Sequence, residues 1–259
     1  MRNFEIKKFS EIAKIYSDVR PTYPEAMYQK IREVIPDMAA KNLLEVGPGP
    51  GNSTREFLHY FPTHITACEP NPDFSRLFAN QFNAHPNIRL KCERFEDNTF
   101  TKQSFEVIFA ATTFHWLDQA TKYAEASRLL APHGWLILYW NNYLVMDAAL
   151  KEKLSALFDS YDANIEMVKG TMEKILSKIG RRKNEVEDGA YFSVISHDLF
   201  EIEYSYSADR FCALLKTFAD QSLGDEMTVL LEAVHDLVLE NGDMLTIKVI
   251  TNLEIARKN

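Results

Sequence analysis

The stretch "LLEVGPGPGNST", residues 43 to 54, places three glycines and two prolines directly after an apolar run that contains a carboxylate. Residues 42 to 47, "NLLEVG", have the apolar, β-rich character of a buried strand, and the residues from 52 onward predict a helix. Glycines between a strand and a helix let the backbone approach a ligand closely and direct amide groups toward it. The stretch therefore predicts a ligand site at the end of a buried strand.

The spacing of these glycines argues against two phosphate-binding loops. Counted from Gly47 and Gly49, the dinucleotide fingerprint GxGxxG would need a third glycine where Asn52 stands. A Walker loop would end in GK[ST], whereas this chain has "GNST" and no lysine. The pattern present is ExGxGxG, formed by Glu45, Gly47, Gly49 and Gly51.

A second carboxylate, Glu69, ends the next predicted strand in "ITACEPN". It follows the glycine loop at about the separation of 20 residues that is expected for a ribose-binding acid. A carboxylate at this position can accept hydrogen bonds from both ribose hydroxyls. The two motifs together predict a nucleoside-like ligand without a pyrophosphate.

Short apolar runs alternate with helix-length amphipathic segments through the first part of the chain. The predicted strands are 42–47, 64–70, 87–92, 105–112 and 134–141, and the predicted helices between them include 52–60, 73–83 and 119–130. Because the strands are apolar throughout, they predict a mostly parallel sheet that is covered on both faces, which is a doubly wound α/β fold. Ligands of such sheets bind at the carboxyl ends of the strands, near the switch point.

The alternation ends after residue 141. Residues 144–180 predict amphipathic helix, followed by a charged segment; strands are predicted again at 200–207 and 243–256, with helix over 208–240. We expect one domain over 1–259, divided into a helical amino-terminal cover (1–40), a cofactor-binding core (41–142), an inserted helical cap (143–190) and a carboxyl-terminal part (191–259) that completes a seven-stranded sheet. The cap helices are predicted to roof a pocket, or alternatively to cover apolar surface or form a dimer contact.

Composition limits the possible partners. The chain has 259 residues, 46% of them hydrophobic, and a net charge of -8, so it offers no basic surface for nucleic acid. No window reaches the roughly 18 apolar residues of a membrane span. Cys68, Cys92 and Cys212 stand too far apart for a zinc site or a disulfide framework. We expect a cytoplasmic monomer or homodimer with reduced thiols, no metal, no membrane and no nucleic-acid partner.

Several motifs together resemble the class I S-adenosylmethionine-dependent methyltransferases. "LLEVGPGPGNST", "ACEPN", "FEDNTFTKQSFEVIFAATTFHWLD" and "ASRLLAPHGWLIL" occur in the order and spacing of that family. "YSDVRPTYP" and "LLKTFADQSL" are similar to the small-molecule branch typified by trans-aconitate methyltransferases. The resemblance implies a Rossmann-like methyltransferase fold, S-adenosyl-L-methionine as cofactor and S-adenosyl-L-homocysteine as product.

The resemblance also implies roles for individual residues. Glu45 and the loop from Gly47 to Gly51 are expected to hold the methionine moiety and ribose, Glu69 the ribose hydroxyls, and Pro70 and Asn71 the adenine. At the position of Arg94 the family usually has an acid that meets the adenine amino group, which an arginine cannot do. The backbone of Phe95, with the side chain of Glu93 or Glu96, is the expected substitute, and Arg94 is alternatively an ordinary surface residue.

Two further segments are expected to complete the site. In "TTFHWLD", Thr112 and Trp116 are expected to line the methyl end of the cofactor. His115 is either a general base or a residue of the pocket wall that orients the reactants. In the amino-terminal "YSDVRPTYP", Tyr16 and Tyr23 offer rings to a sulfonium. Arg20 of the same segment can pair with a carboxylate of the cofactor or of an acidic substrate, or can form a structural salt bridge.

Methyl transfer from a sulfonium is an in-line displacement, for which alignment in a dry pocket supplies most of the catalysis. The chain lacks the [ND]PP[YF] stretch of enzymes that methylate amino groups of bases or glutamine amides, and "ATTFHW" stands in its place. The sequence therefore favours a small-molecule acceptor, with a carboxylate or hydroxyl oxygen as the methylated atom. The alternatives are a non-catalytic S-adenosylmethionine-binding protein and a nicotinamide-dependent oxidoreductase.

Overall fold

The computed structural model describes residues 15–218 and 226–259. Its centre is a seven-stranded sheet with the strand order β3-β2-β1-β4-β5-β7-β6. The strands are β1 (Asn42–Val46), β2 (His64–Cys68), β3 (Ile88–Lys91), β4 (Phe105–Ala111), β5 (Leu130–Val145), β6 (Phe192–Ser207) and β7 (Met244–Lys258). Strands β1 to β5 pair in parallel, and β7 runs antiparallel to both β5 and β6. The predicted doubly wound, mostly parallel sheet is therefore confirmed.

Helices cover both faces of the sheet. A helical segment spans 15–19, and the helices after it are α1 (Glu25–Val34), α2 (Asn52–Tyr60), α3 (Pro72–Phe82), α4 (Lys122–Leu129), α5 (Ala148–Ser160), α6 (Glu166–Lys169), α7 (Met172–Asp188), α8 (Ala208–Lys216) and α9 (Glu226–Glu240). Three of these helices begin with a capping side chain that accepts a hydrogen bond from a backbone N–H group of the first turn. The caps are Asp147 for α5, Thr171 for α7 and Ser207 for α8. No helix in the described part of the chain is long and apolar enough to cross a membrane.

The crossover between β1 and β4 is the switch point of the sheet. From β1 the chain proceeds outward to β2 and β3 and then returns to β4 on the other side of β1. The loops that follow β1 and β4 are therefore neighbours at the carboxyl edge of the sheet, where ligands of such folds bind.

Strand β5 extends beyond the carboxyl edge of the parallel strands. The last residue of β5 that pairs with β4 is Tyr139, which lies opposite Ala111, whereas the pairing of β5 with β7 continues to Val145. A separate apolar core surrounds this extension and contains Leu154 of α5, Phe211 of α8 and Val234 of α9. We call this helical layer the cap.

The boundary of the cap differs from the predicted 143–190. Within that range, Ile175 and Ile179 of α7 pack against Ile250 on a face of the sheet, so α7 is not part of the cap core. Conversely, α8 and α9 of the carboxyl-terminal part do belong to the cap core. An amphipathic pattern shows that a helix has a buried face but not which surface covers it. The predicted cover over 1–40 is described only from residue 15, and its residues 1–14 lie outside the described part.

Candidate active site

The three glycines after β1 adopt left-handed backbone conformations, with φ of 63° at Gly47, 58° at Gly49 and 99° at Gly51. A Cβ atom on Gly47 would lie 2.2 Å from Thr113 Cγ2, and one on Gly51 would lie 2.4 Å from Phe82 Cε2. A Cβ atom on Gly49 would meet nothing within 4 Å. Gly47 and Gly51 thus serve the packing of the loop, whereas Gly49 presents bare backbone to open space.

Glu69 lies beside Gly49 and is held in place by the backbone. Its Oε2 accepts a hydrogen bond from the Gly49 N–H at 3.0 Å, and its Oε1 accepts one from the Asn71 N–H at 2.9 Å. Burial raises the pKa of this carboxyl group. The two N–H bonds favour its charged form and oppose this increase, but burial has the larger effect. Because each carboxylate oxygen has two lone pairs, both oxygens retain acceptor capacity for a ligand.

Glu45 is fully buried at the carboxyl end of β1. Its Oε2 accepts a 2.5 Å hydrogen bond from the hydroxyl of Thr54 on α2. Its Oε1 has no hydrogen-bond partner among the described residues. Burial raises the pKa of Glu45 to about 7, because a charged carboxylate is poorly solvated there. Such an orphaned buried oxygen is costly, and a ligand that donates a hydrogen bond would satisfy it.

The residues expected near adenine differ in their surroundings. The Asn71 side chain is occupied as the cap of α3, where it accepts from the N–H groups of Asp73 and Phe74. Pro70 is exposed, and Phe95 is buried in the sheet core. Arg94 is exposed, with its Nε 3.6 Å from Glu96 and 3.8 Å from Asp97. Arg94 therefore has the contacts of a surface residue, in line with the alternative role expected for it.

The loop after β4 is tied to the glycine loop and to the amino-terminal segment. Thr113 Oγ1 donates to the Gly47 carbonyl at 2.9 Å. The neighbouring Thr112 has a φ of 55°, which is rare for a β-branched residue and indicates local backbone strain. The Thr112 hydroxyl lies 3.0 Å from the Tyr23 hydroxyl, and the Tyr23 ring meets that of Tyr139 at 4.6 Å. Sequence reasoning missed Thr113, because its role depends on the contact with Gly47.

Arg20 and Tyr16 lie at the junction of the amino-terminal segment and the cap. Arg20 Nε donates to Thr217 Oγ1 at 2.8 Å and Nη2 donates to the Thr217 carbonyl at 2.9 Å. The guanidinium stacks on the ring of Phe218 at 3.5 Å and lies 4.9 Å from the ring of Tyr16. The Tyr16 ring lies 6.2 Å from that of Phe74, at the start of α3. Arg20 thus connects the cover to the cap through a carbonyl and an aromatic ring. Among the described residues no carboxylate forms a salt bridge with Arg20, and its pairing with a carboxylate of the cofactor or of a substrate stays a prediction.

His115 lies in the short turn Phe114–Trp116 after β4. Its Nδ1 accepts a hydrogen bond from Trp140 Nε1 at 3.1 Å, so the neutral ring carries its proton on Nε2. Burial, followed by the positive charges of Arg182, Lys178 and Lys122, lowers the pKa of His115 to about 3. The ring is a hydrogen-bond donor at neutral pH, which favours the orienting role over that of a general base.

Trp116, in contrast, is 68% exposed, and its ring lies 4.9 Å from that of His115. Trp116 ends the turn that contains His115, and we call the hydrogen-bonded pair His115 and Trp140 the wall. Trp140, from the middle of β5, was not singled out by the sequence, because a tryptophan within an apolar strand is indistinguishable from core.

Comparisons with known proteins agree with this geometry. Residues 44–138 match the family described as a methyltransferase domain. An uncharacterized methyltransferase of Schizosaccharomyces pombe is 23% identical over 206 residues, which cover 79% of this chain and 75% of the relative. A malonyl-acyl-carrier-protein O-methyltransferase of Herminiimonas arsenicoxydans is 26% identical over 133 residues, 51% of this chain and 48% of the relative. Several other curated relatives are also matched over only about half of their own length.

A solved structure has a similar fold. A solved structure from Anaeromyxobacter dehalogenans, assigned as a type II methyltransferase, has a TM-score of 0.59 at 18% identity and covers 92% of this chain and 97% of that one. At 18% sequence identity, this similarity shows only that the two proteins share a fold. Residues 44–138 thus match the methyltransferase domain family, and the strand order and the glycine loop of this chain agree with that match.

The residues present fit the cofactor of that family. The open space over Gly49 can admit a ligand against bare backbone, and Glu69 beside it has acceptor capacity for ribose hydroxyls. The unpartnered Oε1 of Glu45 can accept from a donor such as an ammonium group. These three features lie on consecutive elements at the switch point of the sheet.

Proposed function

We propose that this protein transfers a methyl group from S-adenosylmethionine to a small acidic molecule, with a carboxylate or hydroxyl oxygen as the acceptor atom. The observation that carries the proposal is the pair of buried carboxylates, Glu45 and Glu69, on either side of a glycine loop that opens to space at Gly49. A nucleoside with a positively charged amino-acid tail matches this arrangement of acceptors, whereas a pyrophosphate does not.

The chain's own residues bind, orient and shield the reactants. When bound, S-adenosylmethionine supplies a methyl group on a positively charged sulfur, which is open to in-line displacement. Glu69 fixes the ribose end, and the Tyr23–Thr112 contact holds the amino-terminal cover against the loop after β4. His115 and Trp140 form a rigid wall beside that loop. Positioning of this kind and exclusion of water provide most of the rate enhancement of such a displacement.

Three observations support an oxygen acceptor of small size. The relative from Herminiimonas arsenicoxydans is an O-methyltransferase. The net charge of -8 disfavours nucleic acid as a substrate. In addition, the low pKa of His115 leaves no strong base there, which suits an acceptor that is already a carboxylate.

Calorimetric titration with S-adenosylhomocysteine tests the cofactor site. Glu69→Gln is expected to weaken binding by about 10- to 150-fold, because a charge-assisted hydrogen bond contributes about 1.5 to 3 kcal/mol. Glu33→Gln makes the same chemical change at an exposed residue of α1 and is expected to bind like the wild type. If the wild type binds no S-adenosylhomocysteine at high concentration, the proposed function is wrong. Tight binding of NADH instead would support the oxidoreductase alternative.

His115 is expected to act without taking up a proton. His115→Asn retains an acceptor for Trp140 and a donor toward the pocket, so we expect kcat to remain within about tenfold of the wild type. A general base would contribute about 100- to 10,000-fold. His115→Leu serves as the comparison, because it leaves the Trp140 N–H without its acceptor. A pH profile of kcat that loses an inflection near pH 6 in His115→Asn, with a large drop in rate, would contradict this assignment.

A further inference from the structure

Tyr139 is a fully buried tyrosine of β5 whose hydroxyl reaches the start of α2. It is the last residue of β5 that pairs with β4, and Ala111 lies opposite it on the same face of the sheet. Because alanine is small, the Tyr139 side chain can extend across β4 toward α2. Its hydroxyl oxygen lies 2.6 Å from that of Ser53, in the first turn of α2. A tyrosine of the central sheet is thus hydrogen-bonded to the helix that follows the glycine loop.

The backbone and the ring of Tyr139 contact two other segments of the site. Its carbonyl accepts a hydrogen bond from the Thr112 N–H at 2.8 Å, in the loop after β4. Its ring meets the Tyr23 ring of the amino-terminal cover edge-on, with 4.6 Å between the centroids. The Tyr23 hydroxyl in turn lies 3.0 Å from that of Thr112. Tyr139 therefore contacts three of the segments that form the candidate active site.

The first turn of α2 connects Tyr139 to the carboxylate of Glu45. Thr54, the residue after Ser53, donates its hydroxyl to Glu45 Oε2 at 2.5 Å, and Glu45 Oε1 has no partner among the described residues. Ser53 also acts on this carboxylate. Burial raises the pKa of Glu45 to about 7, and the hydroxyls of Thr54 and Ser53 oppose that increase. The position of this turn consequently decides how the Glu45 carboxylate is oriented and which of its oxygens is free.

Tyr28 of α1 shows that a buried tyrosine of this core does not need such a contact. Tyr28 and Tyr139 belong to the same hydrophobic cluster, and both are almost completely buried. The Tyr28 hydroxyl, however, has no hydrogen-bond partner among the described residues. The two tyrosines fill the same core, but the hydroxyl of Tyr139 is held by a side chain that leads to the candidate active site.

We propose that Tyr139 is a positioning residue for the cofactor: its hydroxyl fixes the first turn of α2 through Ser53, and this turn holds Glu45 with one oxygen free for the ammonium group of the methionine moiety. This inference rests on the proposed function. In this role Tyr139 acts through Ser53 and Glu45 and does not contact the cofactor. Because the ammonium group belongs to the amino-acid tail, the effect of the Tyr139 hydroxyl is confined to ligands that carry this tail.

The test uses the full chain and two ligands, S-adenosylhomocysteine and 5′-methylthioadenosine. Both contain the adenosine part, but only S-adenosylhomocysteine carries the amino-acid tail. Calorimetry measures the binding of each ligand, and thermal unfolding measures stability. Tyr139→Phe is expected to weaken S-adenosylhomocysteine binding by about 2- to 13-fold, the equivalent of one neutral hydrogen bond, and to leave 5′-methylthioadenosine binding unchanged. Tyr28→Phe removes a buried hydroxyl without a partner, and this variant is expected to bind both ligands like the wild type.

Double variants test whether Tyr139 acts through Ser53 and Glu45. Ser53→Ala removes the same hydrogen bond from its other end, so adding Tyr139→Phe is expected to weaken S-adenosylhomocysteine binding no further. In a Glu45→Gln background, Tyr139→Phe is likewise expected to have little further effect. Additive losses in both double variants would contradict the proposed route.

The outcomes separate this inference from the proposed function. If Tyr139→Phe weakens both ligands equally, or neither, Tyr139 only fills the core and the positioning role is wrong, whereas the cofactor site stands. If the wild type binds the two ligands equally well, Glu45 receives no ammonium group and the positioning role is again wrong. If the wild type binds neither ligand, the proposed function and this inference both fail. Should Tyr139→Phe not fold, Ser53→Ala decides with the same two ligands.

Discussion

Gly49→Asn is expected to weaken S-adenosylhomocysteine binding by at least about 100-fold, or about 2.7 kcal/mol, while the protein stays folded. Asparagine tolerates the left-handed backbone better than other residues with a side chain, and Gly49 has a φ of 58°. A Cβ at this position meets no protein atom within 4 Å, so the new side chain would occupy the space proposed for the ligand. Calorimetry measures the affinity and thermal unfolding measures the stability.

Gly242→Asn is the matched control for this substitution. Gly242 also has a positive φ, 99°, and a Cβ there would also meet nothing within 4 Å, but it lies in the turn before β7. We expect Gly242→Asn to change the thermal stability by about as much as Gly49→Asn does, and to leave S-adenosylhomocysteine binding unchanged. Gly47→Ala gives a contrasting result, because its Cβ would strike Thr113 at 2.2 Å and disturb the loop itself. Wild-type affinity in a folded Gly49→Asn would place the ligand elsewhere.

The sequence was sufficient for the sheet and for the glycine loop because both depend on local pattern. Apolar runs predicted all seven strands, and the ends of β1 and β2 brought Glu45 and Glu69 to one edge. Parallel strands must meet at their carboxyl ends, so the position of these acids followed from strand order alone. Helix was predicted over 208–240, and α8 and α9 lie within this range.

The remainder of the site could not be predicted because it depends on contacts between distant segments. The partners of Arg20 and Arg182 lie far away in the chain, at Thr217 and at Trp140. Nothing in the composition of either segment indicates these partners. The low pKa of His115 likewise arises from burial and then from nearby positive charges, two of which lie on α7. The helical pattern could not specify that α7 packs against a face of the sheet.

Glu254→Gln is expected to stabilise the protein at alkaline pH by several kcal/mol, since each unit of pKa shift is worth about 1.4 kcal/mol. Glu254 is 1% exposed on β7, opposite Leu138 of β5 and His197 of β6. Its Oε2 has no hydrogen-bond partner among the described residues. Burial raises its pKa from 4.5 to about 8, although Arg182 favours the charged form. Ionisation is therefore opposed in the folded protein and free in the unfolded chain.

The sign of the pH dependence follows from this difference. Between pH 4.5 and about 8 the folded protein binds the proton and the unfolded chain does not, so the stability contributed by Glu254 is complete below pH 4.5 and is lost as the pH rises through 8. A glutamine cannot ionise. In urea unfolding experiments, the free energy of unfolding of Glu254→Gln should therefore exceed that of the wild type by an amount that grows from pH 5 to pH 9. Glu203→Gln, an exposed carboxylate on the adjacent strand, is the control and should show no such growth. A constant difference between Glu254→Gln and the wild type across this range would mean that Glu254 is already ionised in the folded protein and that the charge of Arg182 stabilises it.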